Sequence, residues 1–296
     1  MDRISALAVE NDRYRMGLRD RKRIVIKIGS SSLLHKETAR LDYHQIDILA
    51  RELSDLKNRG KDVILVSSGA AAAGREALKM DLDVYKNETE MNVKQACAAV
   101  GQARLMMIYQ KAFEEYNQLT AQVLMSRATA SNPTSKENLN NTMTELLRLG
   151  VIPIVNENDS VATAEFSLGD NDNLSAIVAS LMGADLLILL SDVRGLYTDD
   201  PRRNKDAQFI SYVPHLTEQY LNMGKDSTGS GAGTGGMATK LHAAKIAAAS
   251  GCDMIIASTE NGTGVIYDIV EGANIGTLFR ADKEQGFDLS RYLDEI

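Results

Sequence analysis

The chain has 296 residues, 44% of them hydrophobic and 25% charged, with four prolines and a formal net charge of -7. That composition excludes a disordered or collagen-like chain and describes a globular protein able to bury a large core, while the acidic balance argues against nucleic acid or an anionic membrane as a partner held by bulk electrostatics. Cys97 and Cys252 form no C-x-x-C pair, so neither a disulfide framework nor a zinc site is signalled, and the apolar runs fall far short of the ~20 residues that a bilayer span requires.

Residues 1–23 carry seven basic and four acidic side chains and no secretory core. They read as a polar extension over 1–21, not a transit segment, and a cytoplasmic location is expected. Arg23-Ile-Val-Ile-Lys-Ile28 reads as a strand closed by Gly29 and by Ser30, Ser31 and Ser32. Lys27, inside that apolar strand, is either an edge-strand lysine with its head in water or a cation held beside a turn whose N–H groups can approach an anion. Asp42 is placed to cap a helix whose Ile46, Leu49, Ala50, Leu53 and Leu56 fall on one stripe, and Gly60 stops it. Asp62-Val-Ile-Leu-Val66 is a second buried strand, followed by Ser67-Ser68-Gly69 and a run of alanines. Strand, small-residue turn and helix have repeated.

Further strands are expected at 121–125, 151–155, 186–190 and 253–257, with helical patterns between them, of which Leu139, Met143, Leu146 and Leu147 before Gly150 form the clearest. This alternation predicts an α/β fold with a mostly parallel central sheet covered on both faces, and no internal repeat or low-complexity linker divides it. Ligands of such sheets bind beyond the carboxyl ends of the strands. The informative residues are therefore Gly29 to Ser32, Ser67 to Gly69, Asn156 to Ser160, Ser191-Asp192 and Ser258-Thr259.

Asn156-Glu157-Asn158-Asp159 and Gly169-Asp170-Asn171-Asp172-Asn173 are turn formers and helix caps by default, and they lack the spacing of an EF-hand. At strand and helix ends such clusters also suit a zwitterion, carboxylates for its ammonium and amides for its carboxylate. A carboxylate set between two lysines would hold both and keep them charged. Ser191-Asp192 and the turn Gly195 to Pro201 can wall an adenine and ribose.

Between Ser227 and Lys240 five glycines precede a helical face of Met237, Leu241, Ala244 and Ala248. A permissive backbone running into a helix N-terminus makes an anion cradle, and the order of residues departs from the P-loop pattern. Lys27 and Lys240 together read as two clamps on one polyphosphate. His35, His44, His215 and His242 show no ligand spacing, and no nucleophile elbow or Cys/His signature appears.

IVIKIGSSSL, VSSGAAAAGR, AAVGQARL, VIPIVNENDSVATAE, GDNDNLSA, LLSDVRGLYTDDPR, GTGGMATKL and VEGANIGTLF, in this order from about Lys22 to Arg280, resemble the amino acid kinase family, and within it the branch that phosphorylates glutamate. The resemblance implies a three-layer α/β/α sandwich over residues 22–280, with a glutamate half (22–184), a nucleotide half (185–280) and a C-terminal tail (281–296). It implies transfer of a phosphoryl group from ATP, with Mg²⁺, to the side-chain carboxylate of L-glutamate, the first step of proline biosynthesis. Proline as feedback inhibitor and a homodimer or homotetramer are implied with it.

Carried over by matching motifs, Lys27 and Lys240 bind phosphate and Asp172 organises them, while Ser68, Gly69, Asp159 and Asn171 bind glutamate. Lys27, Gly29, Ser191, Asp192 and the run Thr234, Gly235, Gly236, Met237, Ala238, Thr239 and Lys240 bind the nucleotide. Backbone N–H groups of Gly29 and Gly69 would reach the transferring phosphoryl group. Position 191 is Ser where the family often has Thr, which keeps the hydroxyl. The PUA domain of many bacterial members and the reductase half of animal and plant relatives are not expected here. Residues 79–92, polar and poorly periodic, are expected to be a mobile loop near the glutamate site. The substrate carboxylate, with a pKa of about 4.3, is ionised at neutral pH, so a catalytic histidine or cysteine is not required.

Overall fold

The computed structural model describes residues 3–80, 91–161, 171–223, 236–260 and 262–294. Ten strands occur among them: β1 Arg23–Ile28, β2 Asp62–Ser67, β3 Thr120–Met125, β4 Ile152–Glu157, β5 Leu186–Ser191, β6 Leu196–Tyr197, β7 Phe209–Ile210, β8 Tyr212–Val213, β9 Asp253–Ser258 and β10 Thr277–Phe279. The helices are α1 Arg3–Met16, α2 Ser30–Leu33, α3 Tyr43–Asn58, α4 Ala70–Ala77, α5 Met91–Glu114, α6 Arg127–Ser131, α7 Pro133–Arg148, α8 Asn171–Leu181, α9 Glu218–Asn222, α10 Met237–Ser250, α11 Val265–Val270 and α12 Leu289–Asp294. Eight strands form one sheet in the order β3-β4-β2-β1-β5-β9-β10-β8, parallel throughout except where β10 runs against β9. The expected mostly parallel sheet with helices on both faces is what the chain builds.

Period-2 alternation in β1 divides the core. Ile24, Ile26 and Ile28 point to a cluster that includes Leu49 and Leu53 of α3 and Tyr109 and Phe113 of α5. Val25 points the other way, into a cluster with Leu174 and Ile177 of α8 and Leu241 and Ala244 of α10. Lys27 shares the parity of Val25, so its side chain leaves the sheet on the side of α8 and α10. β1 is paired on both sides, with β2 and β5. The edge-strand reading of Lys27 is therefore excluded.

Local signals explain the elements next to the site. The Asp42 carboxylate accepts from the Gln45 N–H at 3.1 Å and caps α3. Gly69 begins α4 at φ 104°, a conformation that disfavours any side chain. α4 and α5 cross at two glycines: a Cβ on Gly101 would lie 1.7 Å from the Ala70 carbonyl oxygen, and one on Gly74 would lie 1.9 Å from that of Cys97. The two helices thus touch backbone to backbone.

The polar extension is a helix, α1, which composition alone left without a structure. Its Arg15 is fully buried, donating to Asn11 Oδ1 at 2.9 Å and to the carbonyls of Ala273, Ile275, Ser211 and Gly276 at 3.2, 2.9, 3.0 and 3.0 Å. Burial pulls the pKa of the guanidinium down to about 10, still charged at neutral pH. Tyr14 Oη adds a 2.8 Å bond to Asp253. A one-residue pattern of this kind has no periodicity to announce it. Replacing Arg15 with Met leaves four carbonyls without their donor, and the expected result is a loss of about 3 kcal/mol in urea unfolding; a midpoint unchanged from the parent would show α1 to be an appendage.

Candidate active site

Three charged side chains meet beyond the end of β1. Asp172 sits in the first turn of α8 and Lys240 in the first turn of α10, and the two helices pack side by side against the face from which Lys27 projects. Lys240 Nζ donates to Asp172 Oδ2 at 3.0 Å, and Lys27 Nζ pairs with Asp172 Oδ1. Relative exposures are 8% for Lys27, 1% for Asp172 and 5% for Lys240, so water does little to offset these charges. Burial opposes ionisation of Asp172, but the two ammonium groups outweigh it and hold the carboxyl below its ordinary pKa. One carboxylate between two cations leaves the cluster positive, and helix N-termini add to that sign.

A Cβ on Gly29 would stand 3.4 Å from Lys27 Nζ, an ordinary contact distance that places this turn directly beside the ammonium. Thr239 Oγ1 bonds the Gly236 carbonyl at 2.8 Å and lies 3.4 Å from Asp172 Oδ2, tying the start of α10 to the carboxylate. Ala238 occupies the same first turn.

On one side lies a network of amides. Asn171 Nδ2 donates to Ser68 Oγ at 2.7 Å and to Asn156 Oδ1 at 3.0 Å, while Asn156 Nδ2 donates to Gln102 Oε1 at 2.9 Å. The Ser68 N–H bonds the Ile28 carbonyl at 3.1 Å, which joins the turn after β2 to the end of β1. Beside this network a recess of about 250 Å³ is lined by Gln102, Gln122, Glu157 and Asp159 among others. Burial raises the pKa of Asp159, a carboxylate placed where a cation would be welcome.

On the other side a cleft of about 270 Å³ is lined by Asp192, Gly236, Met237 and Lys240 and by the segment from Val193 to Tyr197, with Asp199 to Arg202 and Met223. Ser191 Oγ donates to Asp192 Oδ1 at 3.2 Å, and its carbonyl accepts from the Thr259 N–H at 2.8 Å.

The structure thus brings Lys27, Asp172 and Lys240 into one cluster, joins Ser68 to Asn171, and sets Asp192, Gly236 and Met237 in the cleft with Lys240. Asp159 lies in the recess, which it lines together with Gln102, the residue that accepts from Asn156. Thr234, Gly235 and most of the 79–92 segment lie outside the described residues. Sequence reading passed over Gln102, Arg194 and Arg202. The motifs AAVGQARL and LLSDVRGLYTDDPR contained them, but nothing in their spacing marked these side chains for the site.

This combination, a parallel sheet with a phosphate-sized cationic cluster at the carboxyl ends of its strands, defines a nucleotide-dependent kinase of the amino acid kinase family, to which the chain belongs by a match over residues 22–258. The relatives in sequence are named glutamate 5-kinases: that of Clostridium perfringens is 46% identical over 91% of this chain and 99% of its own length, and that of Listeria monocytogenes 46% identical over 92% and 97%. In fold the chain is similar to the carbamate kinase of Giardia lamblia, with a TM-score of 0.65 and 18% identity, covering 90% of this chain and all of that one. The UMP kinase of Ureaplasma parvum aligns with a TM-score of 0.59 and 17% identity over 88% and 99%.

Asp172 yields a pH test. A carboxyl whose folded pKa lies below its unfolded value contributes stability that is complete above the unfolded pKa, near 4, and lost as pH falls through the folded one. Urea unfolding of the parent chain should therefore weaken between pH 5 and pH 3 more steeply than that of Asp172→Asn, which lacks this titration. Parallel pH curves would mean that the two lysines do not depend on the charge of Asp172.

Proposed function

We propose that this chain is a glutamate 5-kinase, catalysing ATP-dependent phosphorylation of the side-chain carboxylate of L-glutamate to L-glutamyl 5-phosphate in proline biosynthesis. The observation that carries the reading is the buried Lys27–Asp172–Lys240 cluster standing between an acid- and amide-lined recess and an open cleft. Relatives of 46% identity named for this activity support it.

In this reading residues 22–184 supply the amino-acid half and 185–280 the nucleotide half. MgATP enters the cleft with its adenosine against the segment following Asp192 and its phosphates toward Lys240; Mg²⁺ would come with the nucleotide and would lower the charge of its phosphates. The glutamate ammonium is taken by Asp159, and its side-chain carboxylate points toward Lys27. A carboxylate oxygen attacks the γ-phosphorus in line, the bond from that phosphorus to the bridging oxygen breaks, and ADP leaves with the electron pair. The nucleophile is already ionised, so no proton has to be moved. The barrier lies in bringing two anions together, and Lys27, Lys240 and backbone N–H groups of Gly29 and Gly69 lower it by neutralising the phosphoryl oxygens. Asp172 keeps both ammonium groups aimed at one point before the phosphate arrives, which limits the reorganisation left for the reaction itself.

The partners assigned are L-glutamate and ATP, with proline as feedback inhibitor, in the cytoplasm. Exposed Val100 and Met107 on α5 and Leu119 before β3 support association with further copies as a dimer or tetramer.

Hydroxylamine trapping with MgATP tests the reaction. Glutamyl hydroxamate is expected with L-glutamate, and none with L-aspartate, N-acetyl-L-glutamate or no acceptor. Hydroxamate from another acceptor would reassign the substrate. Lys27→Ala and Lys240→Ala should each lower kcat by ~10²- to 10³-fold, and normal turnover in both would remove the role given to them.

Asp159 separates binding from chemistry. Its pKa is raised in the empty protein and should fall when it meets an ammonium, so glutamate should bind best above that raised pKa and lose affinity as pH drops through it. The KM for glutamate should rise toward acid pH more steeply in the parent than in Asp159→Asn, where the substrate's own carboxylates still titrate; identical profiles would rule out Asp159 as the ammonium's partner.

A further inference from the structure

The amide network beside the cluster has a direction, and its origin lies on α5. We infer that Gln102 is a positioning residue that, together with the Glu157 N–H, holds the Asn156 amide in place and so positions the donors and acceptors of the amino-acid subsite; the inference rests on the glutamate 5-kinase reading and deepens it.

Gln102 follows Gly101, the glycine whose missing side chain lets α5 rest on the Ala70 carbonyl. That contact brings Gln102 to the turn after β2. Its Oε1 accepts from Asn156 Nδ2 at 2.9 Å, and its own Nε2 has a long contact of 3.5 Å to Gln122 Oε1. Asn156 is buried at 3% exposure, so its amide has no water to compensate a wrong orientation. With Nδ2 committed to Gln102, Oδ1 must face the other way, where it accepts from the Glu157 N–H at 2.9 Å and from Asn171 Nδ2 at 3.0 Å.

The polarity then propagates. Asn171 Nδ2 has two hydrogens, one for Asn156 Oδ1 and one for Ser68 Oγ at 2.7 Å. Both are used, so Asn171 presents its Oδ1 as an acceptor. Ser68 Oγ accepts from Asn171, and its own O–H is turned outward as a donor. An acceptor and a donor side by side, with Asp159 in the adjoining recess, match an ammonium and a carboxylate on one carbon atom. Gln102, which also lines the recess, thus holds the first link of a relay that ends at the two groups meeting the zwitterion. Removing its carbonyl oxygen leaves the buried Asn156 Nδ2 without its acceptor while the Glu157 N–H still holds Oδ1, so the Asn156 amide is held on one side only and the geometry passed on to Asn171 and Ser68 loosens.

The test compares Gln102→Met, which keeps length and loses the acceptor, with Asn156→Ala and with the double variant, in steady-state kinetics of the full chain. Gln102→Met is expected to raise the KM for L-glutamate about tenfold, the effect of one buried hydrogen bond, with kcat within threefold and the KM for ATP within twofold. In the Asn156→Ala background the same substitution should add nothing, because the link it acts through is gone. An unchanged glutamate KM in Gln102→Met, an equal rise for ATP, or additive effects in the double variant would overturn the inference.

Trapping with the unmodified protein serves as the control for the reaction. If that protein forms no glutamyl hydroxamate, the functional reading fails by itself, and the relay is judged by NMR of the side-chain amides, assigned with Asn156→Ala and Asn171→Ala. Gln102→Met should then move both the Asn156 and the Asn171 NH₂ signals. Signals that stay in place, in a variant with the parent's thermal midpoint, would reject the relay independently of any activity.

Discussion

Everything near the reaction centre depends on one requirement: two buried ammonium groups must share one buried carboxylate. Isolated, none of the three would remain charged in that environment at acceptable cost. Together they constrain the backbone strongly, since Lys27 is fixed by the register of a central strand and Asp172 and Lys240 by the first turns of two different helices. α8 and α10 cannot shift relative to β1 without separating the charges. The cluster is in this sense a fastener between the central strand β1 and the two helices α8 and α10.

The surroundings divide the remaining work by chemical type. The cleft beyond Asp192 is mixed, with apolar walls from Leu196 and Met237 and charges at its mouth, as suits a flat heterocycle carrying a charged tail. The recess near Asp159 is small and rich in amides and carboxylates. The recess, the charged cluster and the cleft follow one another along the sheet, at the carboxyl ends of β3 and β4, of β1 and of β5.

Much of this was legible before any coordinates. Short continuous apolar runs locate β1, β2, β3, β4, β5 and β9, and a lysine near the end of the first strand with another just after a glycine run signals two cations for one anion. What could not be read was orientation. Whether Lys27 stood at an edge or in the middle depends on which strands lie beside it, and strand order is a property of the whole chain. The antiparallel β10 and the two-residue β8 are too short to show a period. Gln102 looks like any polar residue on a long helix until Gly101 brings that helix against α4. Arg15 reads as a surface charge because its partners are carbonyls, which every residue has and no sequence distinguishes.

That buried arginine has a consequence for the order in which the molecule takes shape. The carbonyls that receive it lie at Ser211 and at Ala273, Ile275 and Gly276, the last of them 261 residues downstream. A 14-residue helix is marginal by itself in water, and during synthesis at about 5–20 residues per second α1 must wait roughly 13 to 50 s for its seat to be made. α1 is therefore among the last elements to be secured, and a ribosome-bound chain halted before residue 273 would carry it as an undocked segment, more open to proteases than in the finished protein.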